Sequence, residues 1–557
     1  MTLLPIAARE LRVASRQGGT YWTRVAAAGL AIVVSGGFIL VWMNNPMAIG
    51  GNTGQMLFSI LKWLCFAFVC STGLFLTSDC LSEEKREGTM GLLFLTDLRG
   101  YDVVLGKLMA SSLRAFFGLL ACFPVLGLTL MAGGVSGLEF WRTLTALCNA
   151  LFFSLAAGVF VSAFSRDTLK AITAVMAFCT IALAAPPLLD YWRADWTANN
   201  FVPKFLVASP AYALIVAPQR NSPMFWPALF WPNLTAWLCL ALACFFVPRT
   251  WQEKSKVSSG NASRGRGRWR FGGRRQRIKW LELNPIIWLA SRDQWVTQCA
   301  RMVFLAFGGL GFYLWWKLGS NGFQGFMTAT HSLLGLILYI WVAAQATRFP
   351  SDARRNGALE LVLCTPVTIA QMIRGQWIAL LRMTFLPLLV ILGMSAFQQY
   401  QAWMILIGNV PVANSQVNKD MEIYQLVSAI SGTVVFLTTL AALGWFGMLM
   451  GLRSKKTSAA LMKTVVLVQV LPWLAVAILQ GVLMMATIWM KISFYWTALL
   501  AAVAFLMKDA TFIFWSRHRL YRDFREIAAQ SFDIVRPAKA SPLPSRMTPD
   551  IPPVLPA

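Results

Sequence analysis

Six ionisable side chains fall inside apolar runs of this chain: Arg114, Arg382, Lys62, Lys463, Lys508 and Asp509. A charge in hydrocarbon is costly and marks a substrate or ion pathway unless a long side chain carries it to the interface. Arg114 lies eight residues past Gly106, and Arg382 seven past Gly375. Each is about two turns into its run, where an Arg head can snorkel. Snorkelling or helix anchoring therefore outweighs substrate contact for all six. Lys508 and Asp509 are sequence neighbours, which predicts different helix faces and no pairing. No paired carboxylates suggest a proton relay. Only two His occur, which excludes a His-rich metal site, and His331 reads as an interfacial residue at a span end. The ten Cys lie mostly in apolar runs, with neither metal-ligand spacing nor a disulfide framework. The nearest thing to a phosphate-cradling loop, GYDVVLGKL at 100–108, has five residues between its glycines and Leu108 where Ser or Thr is needed. No catalytic residue, metal site or bound cofactor is expected.

The elements that carry these residues follow from composition. Of 557 residues, 57% are hydrophobic and 13% charged. Soluble domains carry about 25% charged residues, so a soluble enzyme and a disordered chain are both excluded. Apolar runs of spanning length fall at 25–43, 56–78, 108–131, 143–164, 169–189 and 226–247. A second set falls at 302–318, 330–347, 377–398, 425–451, 459–487 and 493–515, with 404–409 as an interfacial segment. The expected fold is an all-α polytopic membrane protein of about 12 transmembrane helices in two homologous six-helix halves. Pro124, Pro186, Pro187, Pro387 and Pro472 are expected to kink spans. The N-terminal stretch mixes charge with apolar residues and does not read as a cleavable signal peptide.

The charge, +26 overall, is a topology signal. Threading the chain with its N-terminus inside puts 37 of the 49 Lys and Arg on the inner side and seven outside. The positive-inside bias thus predicts both termini in the cytoplasm of a bacterial-type inner membrane. Residues 1–248 form the first half and 282–516 the second. Between them, 249–281 is a basic linker, read as lying against anionic lipid headgroups rather than binding nucleic acid. The tail, 517–557, is Pro-rich from Pro537 onward and reads as disordered.

The halves repeat one plan. Pro5 to Arg12 and Pro285 to Arg292 each open a half with an interfacial amphipathic stretch. After the second span of each half, EEKREGTMGLLFLTDLRGYDVVLGK (83–107) aligns without a gap with DARRNGALELVLCTPVTIAQMIRGQ (352–376), at an offset of 269. Arg86 matches Arg355, Gly88 matches Gly357, Leu92 matches Leu361 and Gly106 matches Gly375. A third match joins 155–171 to 441–460. Gly after a charged run and before a Leu-rich stretch predicts a helix end, a turn and a short helix on the inner face.

REGTMGLLFLTD and RNGALELVLCTP, each followed by a Gly before the next span, resemble the first cytoplasmic loop of ATP-binding-cassette permeases of the type-2 exporter class. The similarity covers nearly the whole chain as two fused six-span units. Asp97 stands where Pro366 stands in the second copy, and Asn356 replaces Glu87, so the loops are unequal. In that family such loops carry coupling helices that dock in a cleft of a separate ATPase. The resemblance implies one coupling element at Glu83, Glu84, Arg86, Glu87, Gly88 and Thr89, and another at Asp352, Arg354, Arg355, Asn356 and Gly357. It also implies two ATPase subunits per chain, with ATP and Mg held by those partners. Membrane lipid is the other expected partner, and the substrate is not readable. Two alternatives remain: a twelve-span secondary transporter, which would need coupling acids at mid-membrane, and a non-transporting membrane anchor for an ABC ATPase. A membrane enzyme is disfavoured for want of clustered His, Asp or Glu.

Overall fold

The computed structural model describes residues 12, 18–43, 53–95, 99–193 (save 166), 204–250 (save 221), 285–290, 294–355 (save 319), 357–407, 415–476 (save 455 and 456), 479, 483 and 495–529. Among them every regular element is a helix. Ten helices are long and apolar enough to cross a membrane, and Ala27–Gly36 and Ala300–Gly309 are shorter apolar stretches on the first run of each half. The chain is a multi-pass, all-α membrane protein.

The first half holds α1 (Gly18–Met43), α2 (Thr53–Thr72), a π-helical turn (Gly73–Thr77), α3 (Cys80–Glu87), α4 (Thr89–Leu95), α5 (Gly100–Leu120), α6 (Phe123–Met131), α7 (Gly137–Phe164), α8 (Thr168–Arg193), α9 (Tyr212–Val216) and α10 (Phe225–Thr250). The second holds α11 (Pro285–Ala290), α12 (Gln294–Leu318), α13 (Ser320–Arg355), α14 (Ala358–Leu363), α15 (Ile369–Ile407), α16 (Ser415–Arg453), α17 (Thr457–Val465), a second π-helical turn (Val466–Val470) and α18 (Tyr495–Ala529). Local chemistry sets several starts. Asp102 accepts the Arg99 backbone N–H at 3.0 Å to begin α5, and Ser136 caps α7 through the Glu139 N–H at 3.2 Å. Pro124 sits in the first turn of α6, just past the break at Ala121–Cys122, whereas Pro186, Pro187 and Pro387 lie inside continuous helices. Residues 404–407 continue α15 rather than forming a separate interfacial segment, and 408–409 lie outside the described residues.

The same pairs of spans pack in both halves: α2 on α7 as α13 on α16, α7 on α10 as α16 on α18, and α5 on α7 as α15 on α16. Without a hydrophobic drive between helices in lipid, close packing and hydrogen bonds must hold these seams. Small residues provide the close approach. A Cβ on Gly73 would meet the Ser154 carbonyl oxygen at 2.3 Å, and one on Gly158 would meet Thr77 Oγ1 at 1.9 Å. At the equivalent seam, a Cβ on Gly451 would meet the Thr347 carbonyl oxygen at 2.6 Å, and one on Gly447 the Ala346 Cβ at 2.8 Å. The halves meet through α8, whose Ile172, Val175, Met176 and Cys179 bury in the same core as Leu338 and Trp341 of α13.

An ordered segment caps the first half at the end remote from α3. Asp190 accepts backbone N–H groups of Lys204, Phe205 and Leu206 at 2.9, 2.9 and 2.6 Å, which turns the chain back so that α9 buries Tyr212, Leu214 and Val216. Lys62 is committed here. It is buried and donates to the Leu214 carbonyl at 3.3 Å, beside Glu139. It therefore anchors α2 to the cap and does not snorkel.

Candidate functional site: two loop elements at one end of the bundle

Each half places a helix end, a left-handed glycine and a short helix after its second span. In the first half the span breaks at Ser78–Asp79, and Ser162 Oγ accepts the freed N–H groups of Leu81 and Ser82, both at 3.0 Å. α3 then ends at Gly88, with φ of 73°, and α4 follows. In the second half α13 runs unbroken to Arg355, Gly357 takes φ of 67°, and α14 follows. Both glycines sit where a side chain is strained, and both corners open to space. Asn356 lies outside the described residues, as does the side chain of Glu87.

The short helices turn matching faces inward and outward. Met90 and Leu359, paired by the 269 offset, are 1% and 3% exposed. Leu92 and Leu361, the next matched pair, are 65% and 73% exposed, and Leu95 is also exposed. Sequence reasoning aligned Leu92 with Leu361 but did not assign them a role. The match itself was the available signal, since buried and exposed Leu look alike in a sequence.

The charges brace these helices from behind. Glu84 pairs with Lys107 at 2.8 Å, and its backbone carbonyl and carboxylate both accept from the Thr89 hydroxyl. Arg86 bonds Asp79 at 3.1 Å and the Thr168 hydroxyl, and Thr168 donates to Asp79 at 3.1 Å. Lys85 ties α3 to Thr250 at 3.0 Å and to the Ala163 carbonyl. Glu83 is half-buried, and Gly88 is exposed. In the second element Asp352 lies 3.6 Å from Arg348, Ser351 shares a 2.9 Å hydrogen bond with Thr457, and Arg354 donates to the Leu452 carbonyl. Arg355 is exposed. Arg86 and Asp167 both act electrostatically on Asp352, so the two elements converge at one end of the bundle. The stretch 100–108 is helical throughout, with Lys107 committed to Glu84.

The remaining intramembrane candidates stand apart from this end site. Arg114 is half-buried on α5, its Nε without a hydrogen-bond partner. The Arg382 carbonyl accepts from Arg301 at 2.7 Å. Lys508 and Asp509 do pair, at 2.6 Å, against the helical-face expectation. The four-carbon Lys stem is long enough to fold back across its own helix. Asp509 is fully buried and accepts from Thr438 and Thr439 at 2.9 and 2.8 Å, while Lys508 donates to the Val468 carbonyl in the second π turn at 3.1 Å. His331 lies on α13 and shares a 2.8 Å hydrogen bond with Ser395, so it ties two spans together. Among the described residues no cluster of His, Cys, Asp and Glu is arranged to hold a metal ion. In comparison with known proteins, no family model matches the chain and no curated protein matches it significantly.

Proposed function

We propose that this chain is the membrane-spanning permease subunit of an ATP-driven ABC exporter of the type-2 class, worked by separate ATPase subunits through its two loop elements. The observation that carries the reading is the paired geometry of Gly88–Leu95 and Gly357–Leu363: a left-handed corner, a buried anchor, and an exposed leucine at matched positions. An apolar side chain held outward on a short braced helix suits a cleft in a partner. The bracing by Glu84, Lys107, Arg86 and Asp79 gives the short helix the stiffness needed to pass a push into α2 and α5. ATP and Mg belong to the partner, one ATPase serves each element, and the elements and both termini face the cytoplasm of a bacterial-type inner membrane. The chain itself carries no catalysis in this reading. Gly88→Trp and Gly357→Trp crowd the open corners, and both should abolish co-purification with the ATPase and stimulation of its activity. Unchanged complex and unchanged stimulation in both variants would sink the proposal.

One observation favours a second reading. Asp509 is a fully buried carboxylate within a span, the kind of group that marks an ion pathway. In this structure Lys508 and two Thr hydroxyls occupy it. Transport by the purified chain, driven by an ion gradient without any ATPase, would decide for that reading.

A further inference from the structure

α18 outlasts its membrane-crossing part. Its apolar run ends at Trp515, where the Arg453 guanidinium at the end of α16 lies 5.9 Å from the Trp515 ring. Two helices thus mark the same boundary level. From there α18 continues to Ala529, about 20 Å at 1.5 Å per residue.

One stripe runs the length of this helix. Trp496, Leu500, Val503, Met507 and Phe514 recur in steps of three, four or seven, and all are exposed on a helix long and apolar enough to cross a membrane. The same steps lead on to His518, Tyr521 and Arg525, all exposed, with Arg517 and Arg522 flanking them. The lipid-facing side of the span therefore becomes a basic side beyond it, holding three Arg, one His and no acid. The acids lie elsewhere. Asp523 is engaged by Arg519 at 2.8 Å, with Arg522 at 3.7 Å, and the exposed Glu526 lies one turn past Arg522, on the outer side of that flank. The adjoining face, Leu520, Phe524 and Ile527, is buried, and the first two pack beside Leu359 and Val362 of α14.

We infer that Arg517, Arg522 and Arg525 form a docking site for the phosphate headgroup of an anionic phospholipid in the leaflet at this end of the bundle. The stripe faces outward over the lipid annulus, because its continuation touches acyl chains. Arg517 and Arg522 lie about 3 and 10 Å past Trp515 along the axis, against a headgroup layer of about 5–8 Å. Side chains on a helix lean toward its N-terminus, which here is the membrane, so each guanidinium tilts back to the phosphates. Arg525, about 15 Å out, leans back into a surface field that reaches about 8 Å further. The inference needs α18 to cross the bilayer. It does not need an ATPase.

The test places p-benzoyl-phenylalanine at Tyr521 of the full chain, in nanodiscs of equal phosphatidylglycerol and phosphatidylcholine, and identifies the cross-linked lipid after irradiation. Phosphatidylglycerol should be favoured more than tenfold. The preference should fall on the order of fivefold for each of Arg517→Gln, Arg522→Gln and Arg525→Gln, and reach parity in the triple variant. Arg519→Gln should leave it intact, and the triple Arg→Lys variant should retain most of it. If the Gln variants fail to fold, salt does the same work: 0.5 M should collapse the preference in the otherwise unaltered chain. Parity in that parent chain, a salt-independent preference, or one that survives the triple Gln change would overturn the inference. So would cross-linking to an added ATPase in place of lipid, which would assign the stripe to an acidic protein surface.

Discussion

Replacing the exposed leucines of the two short helices separates docking from folding. Leu92 and Leu361 are 65% and 73% exposed, so Leu92→Asp and Leu361→Asp remove little that the fold itself buries. Surface changes of this kind stay within about 0.5 kcal/mol of stability. Full burial of a Leu side chain is worth about 1.5–3 kcal/mol. Roughly two thirds of each is still available to a partner, which leaves about 1–2 kcal/mol per leucine for docking. The carboxylate adds its own desolvation cost inside an apolar cleft. Each single variant should therefore weaken ATPase binding by at least about tenfold. The double variant should multiply the two effects, because well-separated sites add. The assay is ATPase affinity for the chain in nanodiscs, with thermal unfolding of the same samples as the stability control. Affinity within twofold of the unaltered chain in the double variant, with the unfolding transition in place, would refute the reasoning.

Three other perturbations follow from particular contacts. Gly357→Ala puts a side chain at φ of 67° and should cost about 1–2 kcal/mol, read as a lower thermal midpoint, with Gly88→Ala behaving alike. Gly158→Val drives branched carbon into Thr77 at a seam where a single Cβ is already at 1.9 Å. It should cost about 3 kcal/mol by forcing the first π-helical turn from α7, and normal yield and unfolding of that variant would contradict the seam. Asp509→Ala leaves Lys508 inside the bilayer without its carboxylate and should cost about 3–5 kcal/mol, whereas the double change Lys508→Met with Asp509→Leu should recover most of it. Equal losses in the single and double variants would show that the pair is not the relevant interaction.

The membrane architecture was legible because run length alone measures a bilayer. Ten of the twelve expected runs meet spanning length, and the runs at 25–43 and 302–318 are helices with shorter apolar cores among the described residues. The repeat was legible too, since Gly88 and Gly357 are confined to one backbone region by their corners. What failed were inferences about where flexible side chains go. Lys62 was expected to snorkel or to anchor its helix, and it anchors through the Leu214 carbonyl, while Lys508 was expected to miss Asp509 and curls onto it. Helical spacing fixes the direction of a Cβ, but not the end point of four further carbons. The break in the first half at Ser78, against the unbroken α13, carried no sequence punctuation, because Ser162 on another span stabilises it. The opening stretch 5–11, most of the linker 249–281 and the tail beyond 529 lie outside the described residues.

Cys364 offers the most direct test of the central claim. It is an exposed cysteine at the end of α14, one residue past the second short helix. A membrane-impermeant maleimide should label it in inside-out vesicles and not in sealed right-side-out ones. Bound ATPase should protect it, and Cys364→Ser should abolish the signal. Labelling from the outside, or full labelling under saturating ATPase, would contradict the account.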